Sequence, residues 1–229
     1  MKTNLKLTES TKGSQSVKRL AIILSARLGY KVFRTLRTMP RKQQLSYGQG
    51  TDKLTQYQWF QAQGLSSLEF TANPVEAVKW LQEGLTIFGR KLLSSSCGRG
   101  IVVMQSEADH QFCPVYTKYK KKKREFRVHI YKEQVVAIVE KKRRAGWEGQ
   151  RDCKIRNLAN GYVFCQNPVN LPEGVSALAI AAGKVVASNF KGVDIGYNEK
   201  NNELFIIEVN SAPGMEGSNL EAYANAICN

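Results

Sequence analysis

Two carboxylates and an amide stand near the end of the 229-residue chain, in Gly192-Val193-Asp194-Ile195-Gly196-Tyr197 and then Leu204-Phe205-Ile206-Ile207-Glu208-Val209-Asn210. With Lys200-Asn201-Asn202 as a three-residue turn, the two runs form an antiparallel hairpin whose opposed residues have numbers summing to 402. Side chains alternate along a strand, so Tyr197 faces Phe205, Ile195 faces Ile207 and Val193 faces Val209 on one apolar face. The other face receives Asp194 opposite Glu208, with Asn210 two residues on. Oxygen ligands gathered in this way suit a hard divalent cation, and Mg2+ with phosphate as co-ligand is the usual use. The alternative is two solvated acids on the outer face of a half-buried sheet. The turn Ser211-Ala212-Pro213-Gly214 ends the second strand and leaves the acidic face at a rim, where a ligand can reach it.

A second stretch runs from Arg90 and Lys91 through Leu92-Leu93-Ser94-Ser95-Ser96-Cys97-Gly98-Arg99-Gly100. Glycine permits close backbone approach, hydroxyls and N–H groups cradle phosphate oxygens, and a flanking cation supplies charge. No GK[ST] follows, so this is not a Walker sequence, and an ordinary hairpin tip is the competing reading. The two histidines, His110 and His129, and the five cysteines, Cys97, Cys113, Cys153, Cys165 and Cys228, contain no CxxC pair. They form neither a zinc signature nor a disulfide framework, and the expected compartment is a reducing cytosol.

These residues need elements to hold them. Val17, Leu20, Ala21, Leu24 and Leu28 have helical spacing before Gly29, and a strand follows over 31–36. Residues 37–50 read as a polar loop and a boundary. A helix over 52–63, capped by Thr51 or Asp52, carries Leu54, Tyr57 and Phe60 inward, and a strand follows near 68–71. Asn73-Pro74 opens another helix that stops at Gly84. Residues 85–93 and 101–104 are the strands on either side of the serine-glycine turn. Strands over 115–119, 126–131 and 134–140 precede an irregular stretch over 143–160, a helix over 174–189, the acidic hairpin and a last helix with Leu220, Tyr223, Ala224 and Ile227 inward.

Composition narrows the class. The chain is 42% hydrophobic and 23% charged, ordinary for a globular protein and against disorder or a collagen-like fibre. Its 34 Lys+Arg against 19 Asp+Glu leave +15, a surface that attracts polyanions such as nucleotides, nucleic acid, acidic proteins or anionic lipid. The basic runs 118–127 and 141–144 are either a charged surface between strands or a docking place for such a partner. No apolar run reaches the roughly 18 to 20 residues that span a bilayer, and no secretory signal is evident, so the expectation is a soluble, cytoplasmic protein without a membrane partner.

The order of these pieces resembles the ATP-grasp superfamily of carboxylate-amine ligases over about 51–229. Its most specific part is Ile206-Ile207-Glu208-Val209-Asn210-Ser211-Ala212-Pro213-Gly214. The closer resemblance is to the ATP-grasp proteins of tailed bacteriophages, whose glycine loop follows arginine, as Arg90 does here; a phage origin would put the protein in a host cytoplasm. Lys91 keeps the spacing of the ribosomal-protein glutamate ligases and stands as the alternative.

The resemblance implies an α+β fold in which two α+β subdomains clasp a nucleotide. Residues 1–50 would be a short, truncated α/β segment ahead of the ATP-grasp unit, residues 51–114 its small subdomain, and residues 115–229 its large subdomain with the metal site. It implies ATP and Mg2+ as cofactors. Lys53 and Arg90 or Lys91 would hold phosphates under a loop with Ser95, Ser96, Gly98 and Gly100, and adenine would meet the backbone of Tyr116, Thr117, Lys118 and Tyr119, with Glu125 on the ribose. Arg127, Lys141 or Lys142, and Asn157 would line the reacting phosphate, while Asp194, Glu208 and Asn210 would hold the metal. The implied reaction joins a carboxylate to an amine through an acylphosphate, and an acidic protein or peptide is a candidate substrate. A kinase of the same fold, or a non-catalytic nucleic-acid-binding protein, is the alternative.

Overall fold

The structure, a computed structural model, describes residues 5–9, 13–36, 44–48, 50–94, 99–149 and 154–229. The expected phosphate-loop residues Ser95, Ser96 and Gly98 lie outside that set. Twelve strands and five helices are assigned among the described residues. They run β1 Lys6–Glu9, α1 Gln15–Leu28, β2 Phe33–Leu36, β3 Gln44–Tyr47, α2 Lys53–Ala62, β4 Phe70–Thr71, α3 Pro74–Gln82, β5 Ile87–Arg90, β6 Ile101–Met104 and β7 Val115–Lys118. Then come β8 Arg124–Tyr131, β9 Gln134–Arg143, β10 Tyr162–Gln166, α4 Val175–Gly183, β11 Phe190–Asn198, β12 Glu203–Asn210 and α5 Ser218–Cys228. Helix starts follow local chemistry: Ser14, Asp52 and Asn73 each accept a backbone N–H of the first turn, and Pro74 occupies the first turn of α3. Gly29, left-handed at φ 69°, stops α1.

Three sheets result. The first is parallel, in the order β2-β1-β3. A five-stranded antiparallel sheet has the order β10-β9-β8-β11-β12, and a four-stranded one the order β4-β7-β5-β6. One face of the five-stranded sheet, with Phe126, Val128, Val193, Ile195 and Phe205, is buried against Ala179 and Ala182 of α4 and against Tyr57 and Phe60 of α2. Part of the opposite face, Tyr131 and Phe190, joins a second core with Leu7, Leu20 and Leu24 of the N-terminal unit and Leu220 and Tyr223 of α5. A third, smaller core gathers Trp80, Leu81, Ile87, Met104 and Tyr116.

Several expectations need correction. The stretch 37–50, read as a loop, contains β3, whose Leu45 and Tyr47 are buried beside β1; their two-residue alternation is short and sits among polar residues. The edge strand β10 is likewise absent from the sequence reading. Helix α4 ends at Gly183, six residues before the expected Asn189. The cause is side-chain competition: the Ser188 hydroxyl bonds the carbonyls of Ser46 and Ser211, and Asn189 Oδ1 accepts from the Ser46 N–H at 2.7 Å, so this segment is tied to strands. Helix α2 packs on β12 and shares the large core, and β7 lies inside the four-stranded sheet, so the chain crosses between the two sheets after Lys118.

Candidate active site

The face of the five-stranded sheet that α4 does not cover carries a lattice of charges. Arg127 on β8 stands opposite Asp194 on β11, which stands opposite Glu208 on β12. One rung toward the hairpin tip are Glu125, Lys141 and Phe164, which pairs with Lys141; one rung away are His129, Gly192 and Asn210. The expected register holds at Gly192–Asn210, Val193–Val209 and Asp194–Glu208 and then shifts by one, so that Ile195 faces Ile206, Gly196 faces Phe205 and Tyr197 faces Leu204. The turn has four residues, Glu199 to Asn202, instead of three, and Ile207 is the bulged residue that absorbs the difference. The correction falls on the apolar pairs and leaves the Asp194–Glu208 rung intact.

Each carboxylate has cations on it. Arg127 donates to Asp194 through Nε at 2.7 Å and Nη2 at 2.8 Å, a two-pronged contact, and Lys141 Nζ donates to Asp194 Oδ2 at 2.9 Å. Lys53 Nζ is 3.1 Å and Arg90 Nη1 3.8 Å from Glu208 Oε2, and Asn210 Nδ2 donates to Glu208 Oε1 at 3.0 Å. Glu125 lies between Lys141 and Lys122, the latter at 3.5 Å. Burial alone would raise the pKa of both acids. The Arg127 and Lys141 charges outweigh it at Asp194, and Lys53, Arg90 and Lys141, with the Asn210 hydrogen bond, hold Glu208 well below the usual carboxylate range. Both are therefore ionised. Burial lowers Arg127 and Lys141 in turn, and the neighbouring carboxylates more than restore them. Five cations thus surround three carboxylates, an excess that suits a polyphosphate.

The strand bearing Arg90 settles which of two neighbours turns inward. Arg90 is buried, pointing to Glu208 and donating to the Tyr57 hydroxyl at 3.3 Å; the Lys91 side chain is exposed, and its N–H closes the β5–β6 turn on the Gly100 carbonyl at 2.8 Å. Gly100 has φ +75°, and a Cβ there would lie 3.1 Å from Leu92 Cγ, so the turn requires glycine. Arg90 Nε and the Thr117 hydroxyl are buried with no partner among the described residues. Arg90 pairs with Val115 and Phe88 with Thr117, so both orphaned groups lie on one face of the four-stranded sheet, a polarity that fits a nucleotide.

Other expected residues fall elsewhere. The Tyr116 ring is fully buried in the third core, its hydroxyl donating to the Gln111 carbonyl. The backbone of 116–118 is flanked by β4 and β5, and Tyr119 N–H donates to the Thr86 carbonyl. Tyr116, Thr117 and Lys118, expected with Tyr119 to meet adenine, thus sit in an inner strand of the four-stranded sheet. Asn157 caps a short 3-10 turn, its side chain accepting from Asn160 N–H. Lys142 points away from Lys141, half-exposed beside Glu140.

Also at the site, though not expected from the sequence, are Lys122, Gln56, Tyr57 as a polar group, and Phe164, whose ring lies under Arg127 at 4.6 Å and Lys141 at 5.6 Å. Gln56 and Tyr57 were findable, since they stand three and four residues after Lys53 on one helix face. As for a metal, two ionised carboxylates and an amide fit a hard divalent cation. No group of three or more His, Cys, Asp or Glu that could hold one is gathered among the described residues, so a cation here would complete its shell with phosphate or water oxygens.

Residues 91–227, more than half the chain, match the family model described as the RimK-like ATP-grasp domain. No curated protein matches by sequence. Among solved structures the fold is similar to the ATP-grasp ligase PsnB complexed with a minimal precursor, with a TM-score of 0.70 and 10% identity over 99% of each chain. D-alanine–D-alanine ligase from Bacillus anthracis gives 0.61 and 14% over 98% of this chain and 92% of that one. The macrocyclase MdnC from Microcystis aeruginosa MRC, bound with precursor peptide MdnA, gives 0.61 and 15% over 99% of this chain and 100% of that one. At such identities the likeness is one of fold, and the fold is ATP-grasp.

Proposed function

This chain belongs to the RimK-like ATP-grasp family and is an ATP-dependent ligase; from that premise we propose that it joins a carboxylate to an amine through an acylphosphate, with Mg2+ at Asp194, Glu208 and Asn210. The observation that carries this is the Asp194–Glu208 rung, two ionised acids ringed by Arg127, Lys141, Lys53 and Arg90. Bound there, Mg2+ supplies charge neutralisation across phosphate oxygens.

Lys53 and Arg90 reach from α2 and β5 to hold the phosphate chain, and Arg127 and Lys141 face the transferring group. The acceptor carboxylate oxygen forms its bond to the γ-phosphorus as the bond to the ADP oxygen breaks. The amine then attacks the acyl carbon, phosphate leaves, and the nitrogen loses its proton to give an amide. Positioning and fixed charge do this work, and no nucleophilic side chain is required. A substrate that is an acidic peptide or protein is supported by the charge distribution. Residues 118–170 hold 15 Lys+Arg against 5 Asp+Glu, so two thirds of the net +15 lies in the segment carrying Arg127 and Lys141.

The test is Mg2+-dependent ADP release with pooled acidic peptides, with and without hydroxylamine as the amine. We expect hydroxamate to form in step with ADP and Glu208→Gln to abolish both. ADP release with a stable phosphoproduct and no hydroxamate would instead identify a kinase, and salt-sensitive oligonucleotide binding without ADP release would identify a nucleic-acid-binding protein.

A further inference from the structure

Strand β12 ends the five-stranded sheet, so one edge of its backbone has no strand beside it. Residues 51–67 take that edge instead. Ile206 N–H donates to the Ser66 carbonyl at 2.9 Å, the Ser66 hydroxyl to the Leu204 carbonyl at 2.8 Å, and the Tyr57 hydroxyl to the Ile207 carbonyl at 3.0 Å. Gln56 takes two groups at once: its Oε1 accepts from Val209 N–H at 2.9 Å, and its Nε2 donates to the Val209 carbonyl at 3.0 Å. Nε2 also donates to the Thr51 carbonyl at 2.8 Å, and the side chain is only 2% exposed. The carboxamide therefore does for Val209 what the N–H and C=O of one facing residue on a neighbouring strand would do.

Val209 lies between Glu208 and Asn210, with its own side chain in the core and theirs on the site face. We infer that Gln56 is a positioning residue for the metal ligands: by gripping both backbone groups of Val209, it fixes Glu208 and Asn210 at one separation and one direction. The bulge gives this grip its importance. Ile207 is the extra residue immediately before Glu208, so the ladder to β11 is interrupted at the point where the ligand spacing has to be held. Three residues of one helix face share in this: Lys53 holds the Glu208 carboxylate, Tyr57 holds Arg90, and Gln56 holds the strand.

This rests on the reading of Glu208 and Asn210 as metal ligands, and the experiment separates the two. Binding of a fluorescent ADP analogue is measured in EDTA and across a Mg2+ titration for wild type, Gln56→Met and Gln56→Ala. Methionine fills similar volume without an amide, so a packing role alone leaves Gln56→Met like wild type. The expected result is a Mg2+ midpoint raised about tenfold or more in both variants, with affinity in EDTA unchanged. An unaltered midpoint in Gln56→Met, or an equal loss with and without Mg2+, overturns the inference. If wild type itself shows no response to Mg2+, the metal reading fails first. Should Gln56→Met not fold, Gln56→Glu takes its place: it keeps the acceptor for Val209 N–H, loses the donor, and carries the same expected rise in midpoint.

Discussion

His129 sits two residues from Arg127 in a nearly dry setting, Nδ1 3.3 Å from the Tyr223 hydroxyl and Nε2 3.4 Å from Asn219 Nδ2. The Tyr223 hydroxyl donates to the Lys191 carbonyl, so Nδ1 carries the proton and the ring is neutral. Burial first, and Arg127 second, push the imidazole down to about 4 from 6.5, with Asp194 opposing. The unfolded chain therefore binds a proton between these values that the folded chain refuses, and stability falls as pH drops from 6.5 toward 4, by roughly 3 kcal/mol at most. Urea unfolding across that range should show the slope in wild type and a flatter one in His129→Gln; equal slopes would refute it. The depressed acids Asp194 and Glu208 act in the same direction, but only below the ordinary carboxylate range of about 4. At this scale the sequence was half legible. Alternation from a three-residue turn puts Asp194 and Glu208 on one face, and the four-residue turn with the Ile207 bulge reaches the same rung; their partners Lys53, Arg90, Arg127 and Lys141 come from four elements, and no local pattern reveals which cation meets which acid.

Elements were legible where local chemistry decides them and illegible where distant contacts do. Asp52 and Asn73 mark helix starts by themselves, while β10 becomes a strand only by pairing with β9, and the unwinding after Gly183 depends on Ser46 and Ser211, far away in sequence. One glycine shows how tightly two elements meet at the site. A Cβ on Gly192 would lie 2.9 Å from Pro213 Cβ and 3.4 Å from Arg127 Cδ, so the turn after β12 and the stem of Arg127 both occupy its space. Gly192→Ala should cost about 1–3 kcal/mol and reduce ADP formation by displacing Arg127 from Asp194. Gly214→Ala, with nothing within 4 Å of the new methyl, is the control and should be near neutral in both assays. Similar losses in the two variants would remove the steric argument.

Across the whole molecule, the N-terminal unit and the last helix form one core. Leu7, Leu20 and Leu24 meet Leu220, Tyr223 and Ala224, and Arg27 reaches Glu221 and, at 2.6 Å, Asn225. The small four-stranded sheet has its own core and does not depend on this seam. A chain stopped after Gly217 should therefore lose amide-exchange protection in α1 and keep it in β5 and β7; retained protection in α1 would show that the N-terminal unit stands by itself. A core shared between segments this far apart in sequence leaves no local mark, so only the helix of this unit was legible. The seam also sets a timetable for synthesis. The apolar face of α1 leaves the ribosome about 200 residues before the helix that covers it, a wait of roughly 10 to 40 s at ordinary elongation rates. Through that interval Leu20 and Leu24 are open to chaperones or to another nascent chain, so yield from a fast expression host should depend on holdase supply more than on the stability of the finished fold.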